Sequence, residues 1–542
     1  HMPPNMRLTL GTRADPPLQL ARLRVRGEVN EIRMADLRFN TQELRVWLKV
    51  AMGWRLSRGS IDALELTTEG WAAAIALIVM GQNYEDETAL QQQLARYSQS
   101  QRHIFEYFAQ EILDHQPENV RHFLLDTCVL DRLEPALCQA ITVQTDAPLV
   151  LNQLANASLF VIPLSDHKPV YRYHHLFAGF LRHFLEIQNQ EHYCKQHIRA
   201  AEWYVAHDDI VDAVHHALAA EDYDYAAHLI EVRAWETLTT RGEIMTLIRW
   251  MSQFPQDNLS ENPRLCLYFS RALYLTGDTD RAQQYVQIAM NALEQGKNPH
   301  VTYKMLWAIA AGYQATLSAY RGDVEAGKKW IEEANTLSHV VDGVDKVRIA
   351  NTDAFLRYLT DTIPSARHGY EYALALAQAI KHDFLALDAH FYLAQIDLLA
   401  GELQAVEDRC KRLLTQYTSR IAPLSAMMVC LGRVQYQRNH IVEAEATLRD
   451  AIKLANRANL PDILWFAYID LSDVLSLTDM DEAMEVVNRA RHIADAFRSP
   501  IIASVIQATE ARLMLRSGQI DEAAEWAEHF KQNELYHQQH EI

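Results

Sequence analysis

The stretch Gly277-Asp-Thr-Asp-Arg-Ala282 is one copy of a pattern that recurs through the second half of the chain, a polar turn followed by a small residue. The turns at 277, 322, 361, 401, 439, 478 and 518 are 45, 39, 40, 38, 39 and 40 residues apart. Such a period predicts helix pairs that bury their faces only against neighbouring pairs. We therefore expect a tetratricopeptide-like α-solenoid superhelix over 263–542. Because the unit exceeds 34 residues, its helices should be longer than in a standard tetratricopeptide repeat.

Tyrosines recur along the predicted first helices of these pairs, at Tyr274, Tyr313, Tyr358, Tyr392 and Tyr436. One interpretation is packing within each repeat. The other is a stripe that lines the concave surface, which solenoids use for binding. We predict the ligand site on the concave face of 265–540, around Tyr313, Tyr358 and Tyr392. The chemistry of the ligand stays open, because tyrosine rings suit a sugar-like or amphipathic small molecule and also a peptide.

Upstream of the repeats, the sequence predicts several helices and then a β-hairpin. The helices are expected at 103–114, 117–127, 134–141 and 148–157, and the hairpin strands at 160–164 and 170–173. Helices followed by a two-stranded wing are typical of a winged-helix domain. The helix in the DNA-reading position, 147–157, contains no Lys or Arg. This winged helix is therefore not expected to bind DNA, since contacts to phosphate dominate DNA affinity.

The first forty residues are predicted to hold two short strands, at 6–12 and 30–39. Two strands cannot form an α/β sheet alone, so this segment is interpreted as the remnant of an α/β nucleotide-binding domain. Arg13 would follow the first strand, where its planar guanidinium suits a phosphate. The predicted organisation is mainly α, with the remnant at 1–40, a helical domain at 41–100, a winged-helix domain at 101–188, a helical arm at 189–262 and the repeats at 263–542.

Composition limits the partners of this chain. It has 542 residues, 51 Lys plus Arg and 70 Asp plus Glu, and its net charge of −19 argues against broad attachment to nucleic acid or an anionic membrane. Its six cysteines include no Cys-x-x-Cys pair, which is typical of reduced thiols. No apolar run is long enough to span a membrane. We expect a cytoplasmic protein.

No motif for a free-standing catalyst is found. The nearest match to a phosphate-binding loop, Gly322 to Lys329, ends in lysine instead of a hydroxyl residue and lies between two predicted helices. His192, Cys194 and His197, with His215 and His216 further on, lack a second cluster at a metal-ligand spacing and are expected to be exposed helix residues without a metal. The sequence therefore predicts neither a catalytic residue nor a metal site.

Four motifs together resemble the MalT-like family of LuxR-type transcriptional activators, which belong to the STAND class of signal-transduction ATPases. They are Arg13 to Gly27, Glu31 to Phe39, Thr68-Glu-Gly-Trp-Ala-Ala73 and Tyr171-Arg-Tyr-His-His-Leu-Phe177. In that family a P-loop domain binds ATP, helical and winged-helix domains close over the nucleotide, a tetratricopeptide-like superhelix senses an inducer, and a C-terminal helix-turn-helix domain binds DNA.

The resemblance implies roles for four residues. Arg13 matches a sensor arginine at the terminal phosphate, Gly70 and Trp71 match a loop near the adenine, and His174 matches the histidine that holds the β-phosphate of ADP. From residue chemistry alone, His174 is either an anion donor at a helix start or a residue that caps and packs.

The resemblance further implies that the chain is the middle of a longer activator, because the Walker segments and the helix-turn-helix domain are missing from it. We expect no ATPase activity and no cofactor in this chain alone, with ATP or ADP bound by the parent protein. The expected partners are a small-molecule inducer or a regulatory protein on the repeats, a second copy of the parent in its active state, and DNA only through the missing domain; no membrane is expected. The alternative is a constitutive tetratricopeptide-like scaffold without a nucleotide role.

Overall fold

A computed structural model describes residues 7–531 except 12–15, 17, 19, 33, 55, 81–104, 106, 143–145, 157–159, 166–167, 235–243, 297–300, 418–422 and 458–459. The chain divides into two compact units, within 1–222 and 223–542. The described residues are mainly helical, and their only sheet has two strands. The predicted fold class is therefore confirmed.

The two strands expected in the first forty residues are not formed among the described residues. Residues 7–11 have no regular structure, and a helix, Leu20–Arg26, and a 3₁₀ turn, Met34–Leu37, follow. The alternating pattern was insufficient here because a strand exists only when another strand pairs with its backbone, and no described strand pairs with this segment. Arg13 lies outside the described residues.

The helical part of the first unit contains the helices Thr41–Met52, Arg58–Thr68 and Ala72–Met80. The first begins after Asn40, whose side chain accepts from the backbone N–H of Glu43 while the Glu43 carboxylate accepts from the backbone N–H of Asn40. Thr41 is the first helical residue.

The winged-helix part comprises a π-helical turn, three helices, a hairpin and a closing helix. Their bounds are Phe108–Leu113, Glu118–Thr127, Pro135–Thr142, Ala147–Asn156, Val161–Pro163, Tyr171–Tyr173 and His175–Gln188. The strands are antiparallel, with Val161 opposite Tyr173 and Pro163 opposite Tyr171. Their inward side chains join Phe108, Phe123 and Phe177 in one apolar core. The predicted hairpin and helices are confirmed within a few residues.

Two helices, Gln190–Ala206 and Ile210–Ala219, complete the first unit. The second unit opens with Tyr223–Leu229, a π-helical turn at Ile230–Ala234, Ile244–Met251 and Gln256–Glu261. None of the helices that the structure describes combines the length and the apolar character needed to cross a lipid bilayer.

In the described part of 263–531, seven helix pairs, numbered here as repeats 1 to 7, form the repeat array. They are Pro263–Leu275 with Thr279–Gly296, Val301–Tyr320 with Val324–Thr336, Gly343–Thr360 with Ile363–Ala379, Asp383–Leu399 with Leu403–Gln416, Leu424–Gln437 with Ile441–Arg457, Pro461–Leu475 with Met480–Phe497, and Pro500–Arg516 with Ile520–Lys531. All seven predicted turns lie between the first and second helix of a pair.

Small residues set the spacing inside the array. A Cβ on Gly432 would lie within 2.6 Å of the Leu448 side chain on the second helix of repeat 5. Ala444 and Ala451 on that second helix are completely buried. Small side chains at these positions let the two helices of a repeat approach closely, and the remaining apolar side chains fill the space between neighbouring pairs.

Candidate functional site

The first candidate site is the joint, defined as residues 68–71 and 171–175. The helix Arg58–Thr68 ends at Glu69, which adopts the left-handed conformation with φ 47°, and Gly70 follows with φ 70°. The Gly70 carbonyl accepts a hydrogen bond of 2.8 Å from the backbone N–H of Phe39. A Cβ on Gly70 would overlap the Phe39 carbonyl oxygen, so the close approach requires glycine.

Glu69 is the centre of the joint. Its carboxylate accepts from Nη1 and Nη2 of Arg172 at 2.7 and 3.0 Å and from Nδ1 of His175 at 2.7 Å. Arg38 lies 3.6 Å away, and the backbone N–H of His175, at the start of a helix, donates at 3.3 Å. Burial alone would raise the pKa of Glu69, but the hydrogen bonds from His175 and Arg172 outweigh it and lower the pKa. Glu69 is therefore ionised at neutral pH.

His174 is 2 % exposed and caps the same helix. Its Nδ1 accepts from the backbone N–H of Leu176 at 3.3 Å, so its Nε2 carries the proton and donates to the Thr68 carbonyl at 3.2 Å. Burial lowers the pKa of His174 to about 4, although the Glu69 carboxylate acts in the opposite direction. The ring is therefore an uncharged donor at neutral pH, and it lies edge-on to Trp71 with ring centroids 6.1 Å apart.

Among the described residues, Glu69, His174 and His175 are the only three side chains whose possible metal-ligand atoms lie within 4.8 Å of one another. Their hydrogen bonds do not suit a metal ion. The protons on Nε2 of His174 and Nδ1 of His175 occupy the lone pairs that would bind it. The guanidinium of Arg172 also brings positive charge to the same carboxylate.

Three of the four residues implied by the resemblance, Gly70, Trp71 and His174, therefore meet at the joint. The sequence analysis missed Glu69, Arg172 and His175, although all three stand in the quoted motifs. A carboxylate in one motif and a guanidinium in the other were the available signal, but 103 residues separate them and no local pattern pairs them.

Two histidines predicted to be exposed are in fact buried. His197 and His216 are 3 % and 4 % exposed, and their Nδ1 atoms are 2.8 Å apart in a hydrogen bond. Burial lowers the pKa of each to about 3. The prediction was wrong because these histidines lie on helix faces that pack against each other, Gln190–Ala206 and Ile210–Ala219, where two uncharged imidazoles share one hydrogen bond.

The second candidate site is a cavity of about 80 Å³ inside the repeat array. It lies mainly between first helices, with Tyr370 contributed by the second helix of repeat 3. Its ionisable lining residues are Arg271, Tyr274, Tyr313, Tyr320, Asp345, Arg348, Tyr370, Asp388, Tyr392 and Asp462.

Three of the five predicted tyrosines, Tyr274, Tyr313 and Tyr392, line this cavity. Tyr358 does not line it but packs against Tyr392, with ring centroids 6.0 Å apart. Tyr436 lies elsewhere and accepts a hydrogen bond of 3.0 Å from Nη2 of Arg516. The regular spacing of the five tyrosines therefore does not correspond to one surface.

Several buried polar atoms of the cavity wall have no hydrogen-bond partner among the described residues. They are the hydroxyl oxygens of Tyr313 and Tyr370 and the Oδ1 atom of Asn351. Tyr370 is completely buried, and the other two side chains are 8 % exposed. Native proteins rarely leave such atoms unpaired, and each one needs an explanation. A bound ligand is one such explanation.

A clasp beside the cavity joins repeat 6 to repeat 1. Thr279 donates from Oγ1 to the Phe497 carbonyl at 2.9 Å, and Arg498 forms an ion pair with Asp280. The Phe497 ring packs against Tyr320 and Tyr274, with centroids 5.8 and 6.4 Å apart. Both tyrosines line the cavity, so the clasp and the cavity share side chains.

Comparison with known proteins finds similarity to transcriptional regulators. Residues 109–193 match the family model described as the MalT winged helix domain. The chain is 26% identical over 508 residues to the HTH-type transcriptional regulator MalT of Vibrio campbellii, over 91% of this chain and 55% of that protein. It is 30% identical over 267 residues to MalT of Serratia proteamaculans, over 49% of this chain and 29% of that protein. The chain is therefore similar to MalT-type transcriptional regulators, and its winged helix matches theirs.

Some curated relatives match most of this chain, and the chain spans about half of their length. Among solved structures it is similar to a STAND protein with a tetratricopeptide repeat sensor from Pyrococcus horikoshii, with 12% identity, a TM-score of 0.48, and coverage of 89% of this chain and 70% of that one. A Rap protein in complex with competence and sporulation factor matches with 14% identity, a TM-score of 0.37, and coverage of 56% and 87%.

Asp388 makes the stability of this MalT-like chain depend on pH. Burial, and secondarily the nearby Asp462, raise the pKa of Asp388 to about 7, although Arg271 acts in the opposite direction. Between pH 3.8 and 7 the native state therefore binds more protons here than the unfolded chain, so this residue's contribution to stability falls as pH rises. Asp388→Asn should raise Tm by roughly 3 °C at pH 8, for about 2 kcal/mol in the large second unit, and change it little at pH 4.5.

Thermal melting of the ligand-free chain at the two pH values measures this difference. Asp408, exposed on the second helix of the same repeat, provides the matched control, and Asp408→Asn should leave Tm unchanged at both. An increase in Tm for Asp388→Asn that is equal at pH 4.5 and pH 8 would contradict the raised pKa of Asp388. Protonated aspartic acid and asparagine carry the same charge, so the increase should be small at pH 4.5.

Proposed function

We propose that this chain is the signal-sensing and switch region of a MalT-type transcriptional regulator, and that its repeat array binds a small-molecule inducer. The observation that carries the proposal is the cavity with the unpartnered hydroxyls of Tyr313 and Tyr370. A buried polar atom without a partner costs roughly 1–3 kcal/mol. A ligand that bonds to these atoms recovers that free energy, which favours a ligand-bound state over the ligand-free one.

A protein partner or a purely structural scaffold role has less support. Scaffolds of this class bind partners along an open concave surface. Here the Phe497 side chain is 1 % exposed and packs against residues of repeats 1 and 2 that line the cavity. A compact ligand fits this arrangement better than a polypeptide, which would need a longer open groove.

The second part of the proposal is that the joint responds to the nucleotide bound by the parent protein. Trp71 offers an aromatic face, and His174 offers an uncharged N–H donor, groups that suit a base and a phosphate. The donors of His174 and Arg172 are engaged by the Thr68 carbonyl and by Glu69, so ADP would replace these contacts. Two alternative sets of contacts are what a two-state switch needs. Arg13 remains a predicted phosphate contact.

In the parent protein, the inducer would be coupled to nucleotide state and self-association, and DNA would be bound by a separate C-terminal domain. Coupling of this kind requires that the inducer bind one state of the regulator more tightly than the other. The inducer site is therefore the first element of the proposal to test.

Tyr313→Phe tests the inducer site. The variant keeps the ring and removes the unpartnered hydroxyl, so ligand-free stability should stay the same or rise slightly. A library of neutral, cationic and anionic metabolites, read by thermal shift, should contain a compound that stabilises the chain. Calorimetry should then show affinity about tenfold weaker for Tyr313→Phe, corresponding to about 1.4 kcal/mol.

The matched control is Tyr436→Phe, a first-helix tyrosine that does not line the cavity and bonds to Arg516. It should bind the same compound as tightly as the unchanged chain. The proposed inducer site is wrong if Tyr313→Phe and Tyr436→Phe bind the compound with equal affinity, or if no compound of any charge stabilises the chain.

A further inference from the structure

The cavity in the repeat array contains an excess of hydrogen-bond acceptors. Asp388 accepts from Nδ2 of Asn351 at 3.1 Å, which leaves Oδ1 of Asn351 buried and unpartnered. The Tyr313 and Tyr370 hydroxyl oxygens, also unpartnered, can each accept as well as donate. Asp462 accepts from the backbone N–H of Ile463 at 3.1 Å. The wall therefore leaves several acceptor oxygens unoccupied.

The charges of the cavity wall are unbalanced in the same direction. Asp345, Asp388 and Asp462 are three carboxylates, whereas Arg271 and Arg348 are two guanidiniums, so the fully ionised wall carries a net charge of −1. Arg348 is 3.0 Å from Asp345. Within the described part of the chain, no Lys, Arg or His nitrogen lies within 4.0 Å of Asp388 or Asp462. Buried charges are normally paired, so a cation bound beside these two carboxylates would stabilise their ionised forms.

Arg271 does not act as the counter-ion of Asp388 or Asp462. Arg271 forms no ion pair in the described residues, and its guanidinium carbon lies 5.1 Å from the centre of the Tyr274 ring. A cation over an aromatic ring is held by that ring. The charge of Arg271 still acts on Asp388 and Asp462, but it forms an ion pair with neither of them, so a second cation can pair with these carboxylates.

We propose that the cavity binds a small organic cation with a single ammonium group, a ligand class that rests on the proposed inducer site. An ammonium carries one positive charge and up to three donors without an acceptor, and so matches both imbalances of the wall. The Asp388 and Asp462 carboxylates pair with its charge. Together with Oδ1 of Asn351, they accept hydrogen bonds from its N–H groups. The aromatic lining residues Tyr320 and Tyr392 add ring faces that favour a cation.

The size and composition of the cavity narrow the class of ligand further. A volume of about 80 Å³ holds roughly five to eight water-sized groups, which matches a compact amine and excludes a peptide. An anion would add negative charge beside two carboxylates, which is costly. A divalent metal ion is not expected, because Asp388 and Asp462 belong to no described set of three ligating side chains.

The test uses four probes with the purified chain at pH 7.5, measured by isothermal calorimetry. Ethanolamine and choline carry the cation, ethylene glycol is a neutral molecule of similar size, and glycolate is an anion. We expect one of the two cations to bind saturably and at least ten times more tightly than ethylene glycol or glycolate. Asp388→Asn and Asp462→Asn should each weaken that binding tenfold or more, because a hydrogen bond to a charged group is worth about 1.5–3 kcal/mol.

Asp408→Asn, outside the cavity, should bind the cation as the unchanged chain does, and melting curves confirm that each variant is folded. If ethylene glycol or glycolate binds more tightly and Tyr313→Phe weakens that binding, the ammonium assignment is wrong while the inducer site stands. If a cation binds but neither aspartate variant weakens it, the assignment is also wrong. If no probe and no library compound binds, both the ligand class and the inducer site fail.

Discussion

Phe497→Ala is expected to destabilise the repeat array by about 3–5 kcal/mol, the usual cost of removing a buried phenylalanine side chain. Phe497 is 1 % exposed and packs on Tyr274 and Tyr320. A Cβ on Gly277 would also lie 3.4 Å from this ring, so the glycine turn of repeat 1 belongs to the same contact. Urea unfolding of the chain measures the loss.

Removing the Phe497 side chain should affect a different part of the array from removing another core phenylalanine, because of where Phe497 lies. Neighbouring repeats stabilise each other along the chain, whereas this clasp joins residues 218 positions apart. Phe391, also 1 % exposed, is the matched control, and Phe391→Ala should cost a similar free energy. Hydrogen exchange should separate the two variants.

In Phe497→Ala, amides at the start of the helix Thr279–Gly296 should lose protection, because the bond from Thr279 to the Phe497 carbonyl loses its support. In Phe391→Ala, protection there should be retained. A loss below 1 kcal/mol for Phe497→Ala, with unchanged exchange near Thr279, would show that the clasp does not hold the two repeats together.

The second large effect is expected for Gly70→Ala, which should destabilise the first unit by about 2–5 kcal/mol. The left-handed conformation costs a non-glycine residue roughly 1–2 kcal/mol. The new Cβ would also overlap the Phe39 carbonyl oxygen and lie 3.1 Å from the Phe39 nitrogen. Forcing extra atoms into such a contact typically costs another 1–3 kcal/mol. The hydrogen bond from Phe39 to the Gly70 carbonyl would weaken as the two segments separate.

Gly53 provides the matched control, because its φ of 73° is nearly the same and no atom lies within 4 Å of an added Cβ. Gly53→Ala should therefore show only the backbone cost. Thermal unfolding of the two variants, followed by calorimetry, measures the two losses. Equal losses for the two variants would mean that the contact between Gly70 and Phe39 contributes nothing, and that only backbone conformation requires glycine there.

Local patterns were sufficient wherever the cause of a structure is local. The hairpin at 161–173 follows from alternating residues around a polar turn, and the helix after it from an amphipathic period. The same patterns failed in the first forty residues, because strands also need a partner in space. They failed again for His197 and His216, whose burial depends on the helix that packs against them.

By itself, the sequence determined that this chain is mainly helical, that seven helix pairs follow a winged helix, and where each pair turns. These features depend on turn residues and apolar periods within a few positions of one another. The tertiary structure alone decided which side chains meet. Asp388 and Asp462 belong to repeats 4 and 6, and they reach one cavity only because each repeat rotates slightly against the last and the rotations accumulate. Glu69 and Arg172 meet for a similar reason, since tertiary packing brings the end of the helix Arg58–Thr68 to the strand Tyr171–Tyr173, and no sequence spacing relates the two charges.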